Sequence, residues 1–135
     1  MSNKIFVNLP ITNLQKSIAF YAAMGFTQNH QFSDDTAACM VISDANYVML
    51  LTHEKFKGFS DNPIPDAHKQ TGLMVALQCE NRAEVDAKAT AALAAGGKEV
   101  RPKSDLGFMY TRTIADPDGH RWEAFHMDMS KMPKT

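Results

Sequence analysis

Apolar and polar positions along the first half of the chain follow the spacing of short strands interrupted by one helix. Residues 5–10 form a short apolar run, and Pro10 is expected to end it as a strand. A capping-box pattern at 12–15 then begins a helix, whose apolar residues recur on one face until Gly25 ends it. Three further segments are predicted to be strands: 27–32, 37–42 and 47–52.

The same order of elements returns after an irregular connector. Residues 54–72 contain Pro63 and Pro65 and show no regular apolar spacing, so they predict a linker. A buried strand is expected at 73–79, and a helix capped by Asn81 follows it. Three further strands are predicted in this half: 98–101, 108–115 and 120–127.

This repetition predicts an α+β domain that spans residues 1–135. Repeat one covers about 4–53, the linker covers 54–72, and repeat two covers about 73–128. Two βαβββ units of this kind can pair their strands into one curved, mixed sheet that holds a cavity. A ferredoxin-like sandwich is the competing fold, although it lacks the extra strand in each half.

The charge and the length of the apolar runs argue against two classes of partner. The formal net charge is -1, so no basic excess is present to neutralise phosphates, and nucleic acid is not an expected partner. No apolar run approaches the roughly 20 residues that cross a bilayer, so no membrane partner is expected. The chain begins without a secretory signal pattern, and Cys39 and Cys79 are expected to be buried, reduced thiols. Together these features predict a cytoplasmic protein.

Several short segments, taken in order along nearly the whole chain, carry a resemblance to a known family. They are Asn8–Pro10, Asn13–Leu14, Ser17–Tyr21, Met24–Phe26, Ala95–Gly97 and Asp116–Glu123. In this order the chain resembles the vicinal-oxygen-chelate superfamily, which includes glyoxalase I, extradiol dioxygenases and bleomycin-binding proteins. Within that superfamily it most resembles short bacterial proteins described as predicted lactoylglutathione lyases. The resemblance implies the vicinal-oxygen-chelate fold.

The metal chemistry that the resemblance implies does not fit the residues at the matching positions. Metal-dependent members hold one divalent ion with four His, Gln or Glu side chains. The resemblance carries these positions onto Phe6, Leu50, Met74 and Glu123, of which only Glu123 is a suitable ligand. A shift of the alignment by one residue still brings no ligand into place. We therefore expect no cofactor, and a divalent metal only through Glu123 with atypical partners.

The last predicted hairpin supplies the polar groups of a candidate site. Asp116–Gly119 has the residue preferences of a type I turn. If it closes a four-residue hairpin, Arg112 lies opposite Glu123 and Tyr110 lies opposite Phe125, whereas a bulge shifts this register by one. On this register Arg112 binds an anionic or carbonyl oxygen, and Glu123 orients it or acts as a general base. A structural ion pair between Arg112 and Glu123 is the alternative.

The rest of the cavity wall is expected to come from both repeats. The predicted ligand-binding residues are Phe6, Asn8, Leu50, Met74, Tyr110, Arg112 and Phe125. Such an apolar wall with a few converging polar groups is typical of a small-molecule site. Trp122 has the opposite side-chain parity and is expected to pack on a helix.

Three functions are compatible with this pattern. The favoured one is a glyoxalase/bleomycin-resistance-like protein that binds a small molecule in an apolar cavity without the usual four metal ligands. The first alternative is a lyase or isomerase of the glyoxalase type, in which Glu123 is the base or a metal ligand. The second is a non-catalytic structural module. The resemblance also implies a homodimer.

Overall fold

The computed structural model describes residues 3–133, and its elements follow the predicted order. The first half contains β1 (Ile5–Ile11), α1 (Leu14–Ala23), β2 (Thr27–Asn29), β3 (Ala37–Val41) and β4 (Asn46–Thr52). The connector begins with a short helix, α2 (His53–Lys57). The second half contains β5 (Met74–Gln78), α3 (Arg82–Ala94), β6 (Lys98–Glu99), β7 (Ser104–Asp105), β8 (Met109–Ala115) and β9 (Arg121–Met127). The prediction of an α+β fold built from two βαβββ repeats is confirmed, and the second repeat carries one further two-residue strand, β7, that was not predicted.

Each repeat forms its own mixed sheet. The first sheet has the strand order β1-β4-β3-β2, and the second has the order β5-β9-β8-β6 with β7 also paired to β8. The first strand of each repeat runs parallel to the last one, and the other pairs are antiparallel. Strands β1 and β5 therefore lie at sheet edges, each with one neighbour.

Asparagine side chains set the starts of both long helices. The Oδ1 atom of Asn13 accepts a hydrogen bond from the backbone N–H of Lys16, at 3.0 Å, and the Oδ1 atom of Asn81 accepts one from that of Glu84, at 2.8 Å. Asn29 caps a 3-10 turn in the same way, by accepting from the N–H of Gln31. This cap explains why β2 ends at Asn29 rather than at the predicted position 32.

The core lies between the helices and one face of each sheet. Its members include Leu9, Ile11, Val48 and Leu50 from the first sheet, Phe20 and Tyr21 from α1, Ala89 and Ala92 from α3, and Ile114 and Trp122 from the second sheet. We call the sheet faces that turn away from α1 and α3 the open faces. None of the helices within residues 3–133 is long and apolar enough to cross a membrane.

Leu50 was expected to line the cavity and Trp122 to pack on a helix, but both side chains belong to this core. Leu50 is fully buried and pairs with Leu9, which faces the helices, so the expectation that Leu50 lines the cavity is wrong. Trp122 packs on α1, as expected, and its Nε1–H donates to the Tyr21 hydroxyl at 2.9 Å. Alternation along a strand gives Leu50 and its neighbour Met49 opposite faces, and Met49 is the one on the open face.

A buried polar chain joins the two repeats through this core. The Tyr21 hydroxyl donates to Asp116 at 2.6 Å while accepting from Trp122. Burial raises the pKa of Asp116 and also that of Tyr21. A second contact between the repeats joins the Thr12 backbone N–H and hydroxyl to the Asp118 carboxylate, at 3.0 and 2.7 Å.

Candidate functional site

The loop of the last hairpin is one residue longer than a four-residue turn. Asp116 accepts hydrogen bonds from the backbone N–H groups of Asp118 and His120, at 2.9 and 2.8 Å, and Gly119 has a φ of 94°. The left-handed conformation at Gly119 and the two bonds to Asp116 place His120 inside the loop. Ala115 therefore pairs with Arg121.

This register separates Arg112 from Glu123. Arg112 lies opposite Ala124, whereas Glu123 lies opposite Thr113. Lateral neighbours in a sheet share a face, and successive residues alternate, so Arg112 and Glu123 point to opposite faces. The prediction that Arg112 and Glu123 form a pair in the cavity is wrong.

Arg112 and Tyr110 instead belong to a polar network on the helix side of the second sheet. The Arg112 guanidinium binds Glu99 through two hydrogen bonds, at 2.9 and 3.0 Å, and binds Asp86 of α3 at 3.2 Å. The Tyr110 hydroxyl donates to the same Asp86 carboxylate at 2.6 Å. These bonds lower the pKa of Asp86 and that of Glu99 and raise that of Arg112. The predicted ligand-binding roles of Arg112 and Tyr110 are therefore corrected to a structural role.

The open face of the second sheet carries three rows of side chains that the register defines. The first row is Met74, Arg121, Ala115 and Lys98; the second is Ala76, Glu123 and Thr113; the third is Gln78, Phe125, Thr111 and Ser104. A cavity of about 570 Å³ lies over this face, lined by Thr71, Met74, Arg101, Pro102, Ser104, Thr111, Thr113, Arg121 and Glu123. Met74 and Glu123 both line this cavity.

The charged groups of this cavity are not paired with each other. The ion pairs formed within residues 3–133 are Arg82–Asp105, Arg112–Asp86 and Arg112–Glu99. In that part of the chain, the side chains of Arg101, Arg121 and Glu123 form no ion pair. Two guanidinium groups and one carboxylate are therefore available to a ligand, beside the hydroxyls of three threonines and one serine.

The open face of the first sheet is aromatic and apolar. The rings of Phe6 and Tyr47 stack with their centroids 4.5 Å apart, and Phe6 is 50% exposed. Asn8 is exposed two residues further along β1, and its lateral neighbour is the half-buried Met49. The predicted lining residues Phe6 and Asn8 therefore share an open face, but this face belongs to the first sheet.

The two sheets can be compared position by position because both have the same pairing. Asn8 pairs with Met49 in the first repeat as Ala76 pairs with Glu123 in the second, and Phe6 and Met74 begin the respective strands. The structure therefore puts Met49 in the place expected for Leu50, and the four positions that correspond to metal ligands are Phe6, Met49, Met74 and Glu123. One carboxylate with an aromatic ring and two thioethers does not fit a divalent ion of the nickel, zinc, iron or magnesium type. Within residues 3–133, no group of three or more His, Cys, Asp or Glu side chains could hold a metal ion.

Sequence reasoning missed the two cationic residues of this cavity, Arg121 and Arg101. Arg121 lies two positions before Glu123 and has the same parity, so alternation along β9 could have identified it. Arg101 ends the strand predicted at 98–101, but β6 stops at Glu99, so alternation along a strand could not place its side chain. His53, His68 and His120 line a separate cleft of about 350 Å³ because the linker folds back over the last hairpin.

The arrangement of two βαβββ units, each with an open sheet face, defines a fold shared with many solved structures. A hypothetical protein from S. aureus matches with a TM-score of 0.79 at 25% identity, over 93% of this chain and 94% of that one. A glyoxalase-related enzyme from Fulvimarina pelagi matches with a TM-score of 0.78 at 20% identity, over 93% and 88%. A glyoxalase/bleomycin resistance protein/dioxygenase family enzyme from Burkholderia phytofirmans PsJN matches with a TM-score of 0.76 at 15% identity, over 93% and 99%.

The sequence itself defines the family. A family model for the Glyoxalase/Bleomycin resistance protein/Dioxygenase superfamily matches residues 5–124. The chain belongs to this superfamily, which confirms the resemblance at that level. No curated protein matches this sequence. The narrower likeness to lactoylglutathione lyases stays a prediction.

Proposed function

We propose that this protein binds a small organic molecule in the cavity over the second sheet and does so without the usual four metal ligands. The observation that carries this proposal is the set of side chains at the four ligand positions, where Glu123 is the only suitable donor. A cavity of about 570 Å³ has the size of a small-molecule pocket, since such pockets span roughly 300–1,000 Å³. The cavity supports binding over the third possibility, a structural module without a site.

Elemental analysis of the purified protein tests the metal-free part of this proposal. We expect less than stoichiometric nickel, zinc, manganese, iron or magnesium, and no rise of the melting temperature when these ions are added. Near-stoichiometric metal that is lost in Glu123→Ala would overturn the proposal and support a metalloenzyme. Lys57→Ala is the matched control, because Lys57 is exposed on α2 in the connector and does not line the cavity.

A lyase or isomerase is the second candidate, and the position of Glu123 supports it. Its carboxylate faces the cavity without an ion-pair partner within residues 3–133, so it is available as a general base. In an isomerisation, such a base takes a proton from a carbon beside a carbonyl and returns it to the adjacent carbon, which needs no oxidant. Turnover of a hemithioacetal of methylglyoxal by the metal-free protein, lost in Glu123→Gln, would establish this candidate over simple binding.

We also propose that the protein is a homodimer, as the family resemblance implies. Exposed apolar side chains lie at the start of the two edge strands: Ile5 and Phe6 are 58% and 50% exposed, and Leu73 and Met74 are each 53% exposed. Edge strands with exposed apolar residues favour pairing with another chain, and the partner proposed here is a second copy. Light scattering after size-exclusion chromatography tests this: a monomer at micromolar concentration would contradict it.

The proposed cellular location is the cytoplasm. Cys39 and Cys79 are both buried free thiols, and burial raises the pKa of each, so neither is a reactive thiolate. Free thiols of this kind are typical of a reducing compartment. Fractionation of cells that express the full chain would test this location.

A further inference from the structure

Unpaired cations lie where the candidate cavity adjoins a neighbouring cleft. Lys98, Ala115 and Arg121 lie side by side in one row on the open face of the second sheet. Lys98 and Arg121 are two strand spacings apart, which is about 10 Å between Cα atoms. The small side chain of Ala115 lies between them, so both long side chains can approach a group placed above it. Arg121 lines the cavity together with Arg101 on one side and a cleft together with Lys98 on the other.

The carboxylates near this row are already engaged or lie in the next row. Glu99 is bound to Arg112 through two hydrogen bonds. Asp116 is only 2% exposed and accepts from Tyr21 and the hairpin backbone. Glu123 is one row further along β9. Within residues 3–133, Lys98, Arg101 and Arg121 form no ion pair, so the surface around Arg121 has an excess of positive charge.

We propose that the ligand of this cavity is a small organic anion, whose carboxylate or phosphate group binds Arg121 at the edge of the cavity. Arg121 lines the cavity with Arg101 and the adjoining cleft with Lys98 and Ala115. This inference rests on the proposed function and names its ligand class. A guanidinium group matches the geometry of carboxylate and phosphate, and two flanking cations add attraction. Glu123 repels the anionic group, so the rest of the ligand extends over Glu123 toward Phe125, where the carboxylate accepts a hydrogen bond from an uncharged donor.

The test uses three ring compounds of similar size with different head groups: benzoate, phenyl phosphate and the neutral benzamide. Each is titrated into the full-length ¹⁵N-labelled protein while the backbone amide shifts are recorded. We expect saturable shifts at Ala115 and Arg121 with at least one anion, and about tenfold weaker binding of benzamide, because a charge-assisted hydrogen bond is lost. The two anions distinguish a carboxylate site from a phosphate site.

Variants sharpen the test because they are expected to act in opposite directions. Arg121→Gln is expected to weaken anion binding about tenfold and Lys98→Gln about threefold, in line with a central and a flanking cation. Glu123→Gln is expected to tighten benzoate about threefold, since benzoate has no donor to lose and a repulsive charge is removed. Lys57→Gln, on α2 in the connector, is the control and should leave all three affinities unchanged.

The outcomes separate this inference from the proposed function. If benzoate, phenyl phosphate and benzamide bind equally well, and Arg121→Gln changes none of them, the cavity binds small molecules but the anion assignment is overturned. The anion assignment is also overturned if neither anion, at concentrations up to about 50 mM, gives saturable shifts at Ala115 and Arg121. Stoichiometric metal bound through Glu123 would instead overturn the proposed function itself.

Discussion

The two open sheet faces have the same geometry but different chemistry. On the first sheet, Phe6 stacks on Tyr47 beside Met49, and on the second, Arg121 and Glu123 lie beside threonine hydroxyls. The strand pairing beneath both faces is the same. The repeat therefore preserves the backbone frame and leaves the outward side chains free to differ. A site in this fold has to be inferred from the residues on each face, since the fold alone does not specify it.

The helix-covered faces contrast with the open ones, and Trp122 provides the sharpest test. Its indole is 1% exposed and contacts rings from α1 and from the segment after it. Trp122→Ala is expected to lower the free energy of unfolding by about 3–5 kcal/mol. The substitution leaves a large cavity and removes the N–H group that donates to the Tyr21 hydroxyl. Urea unfolding followed by circular dichroism measures this. A loss below about 1 kcal/mol, the typical effect of a mutation, would mean that the repeats do not share one core.

Arg112 and Arg121 lie on opposite faces of the second sheet, so their variants should separate stability from binding. Arg112→Ala is expected to cost about 1.5–3 kcal/mol of unfolding free energy, because it removes hydrogen bonds to two carboxylates. Arg121→Ala should change stability by less than about 0.5 kcal/mol. The same urea experiment compares them, and equal losses would contradict the assignment of the two faces.

The Arg112 network also predicts how the stability difference depends on pH. Hydrogen bonds from Arg112 hold the pKa of Glu99 below its usual value of 4.5. A carboxyl whose pKa is lowered by folding stabilises the folded state above that usual value, and the contribution is lost as the pH falls through the folded-state pKa. The stability gap between the wild type and Arg112→Ala should therefore be full at pH 6 and shrink below about pH 4.5. A gap that grows with acid would refute this origin.

The sequence could predict the order of elements but not the register of one hairpin. The order was visible because apolar spacing and the asparagine caps depend on local sequence, and Asn13 and Asn81 are present in both repeats. The hairpin register depends on Asp116, whose side chain accepts from two backbone N–H groups and extends the loop by one residue. Since strand side chains alternate, that single residue moved Arg112 and Tyr110 to the other face.

The alternation of side chains along strands also decides which site residues could be predicted from the sequence. The face of Leu50 depends on its pairing with β1, which no local pattern in β4 reveals. Arg121 could have been found once Glu123 was placed, because the two are separated by one residue. Arg101 could not, since it lies outside a regular strand and reaches the cavity only through the fold of the segment after β6.

A substitution of Tyr21 tests which contacts join the two repeats. Its hydroxyl accepts a hydrogen bond from Trp122 and donates one to Asp116, so it links these two buried side chains. Tyr21→Phe keeps the ring but leaves a buried carboxylate and an indole N–H each without one partner. We expect a loss of about 1–3 kcal/mol, with little change in ligand binding. Phe20→Leu, a volume change in the same helix, is the comparison for packing alone. A neutral Tyr21→Phe would show that the hydroxyl is not needed to join the repeats.

Phe6 lies on the apolar open face, and its substitution should have only a small effect on the stability of the monomer. It is half exposed and its main contact is the stacked Tyr47 ring, so Phe6→Ser is expected to cost less than about 1 kcal/mol in unfolding free energy. If a second copy covers this face, the same variant should weaken the dimer, while Phe59→Ser, on the exposed connector, should not. Sedimentation across a dilution series measures both variants. A large loss of monomer stability in Phe6→Ser would mean that the aromatic face belongs to the core of one chain, and the contrast between the two open faces would then need another explanation.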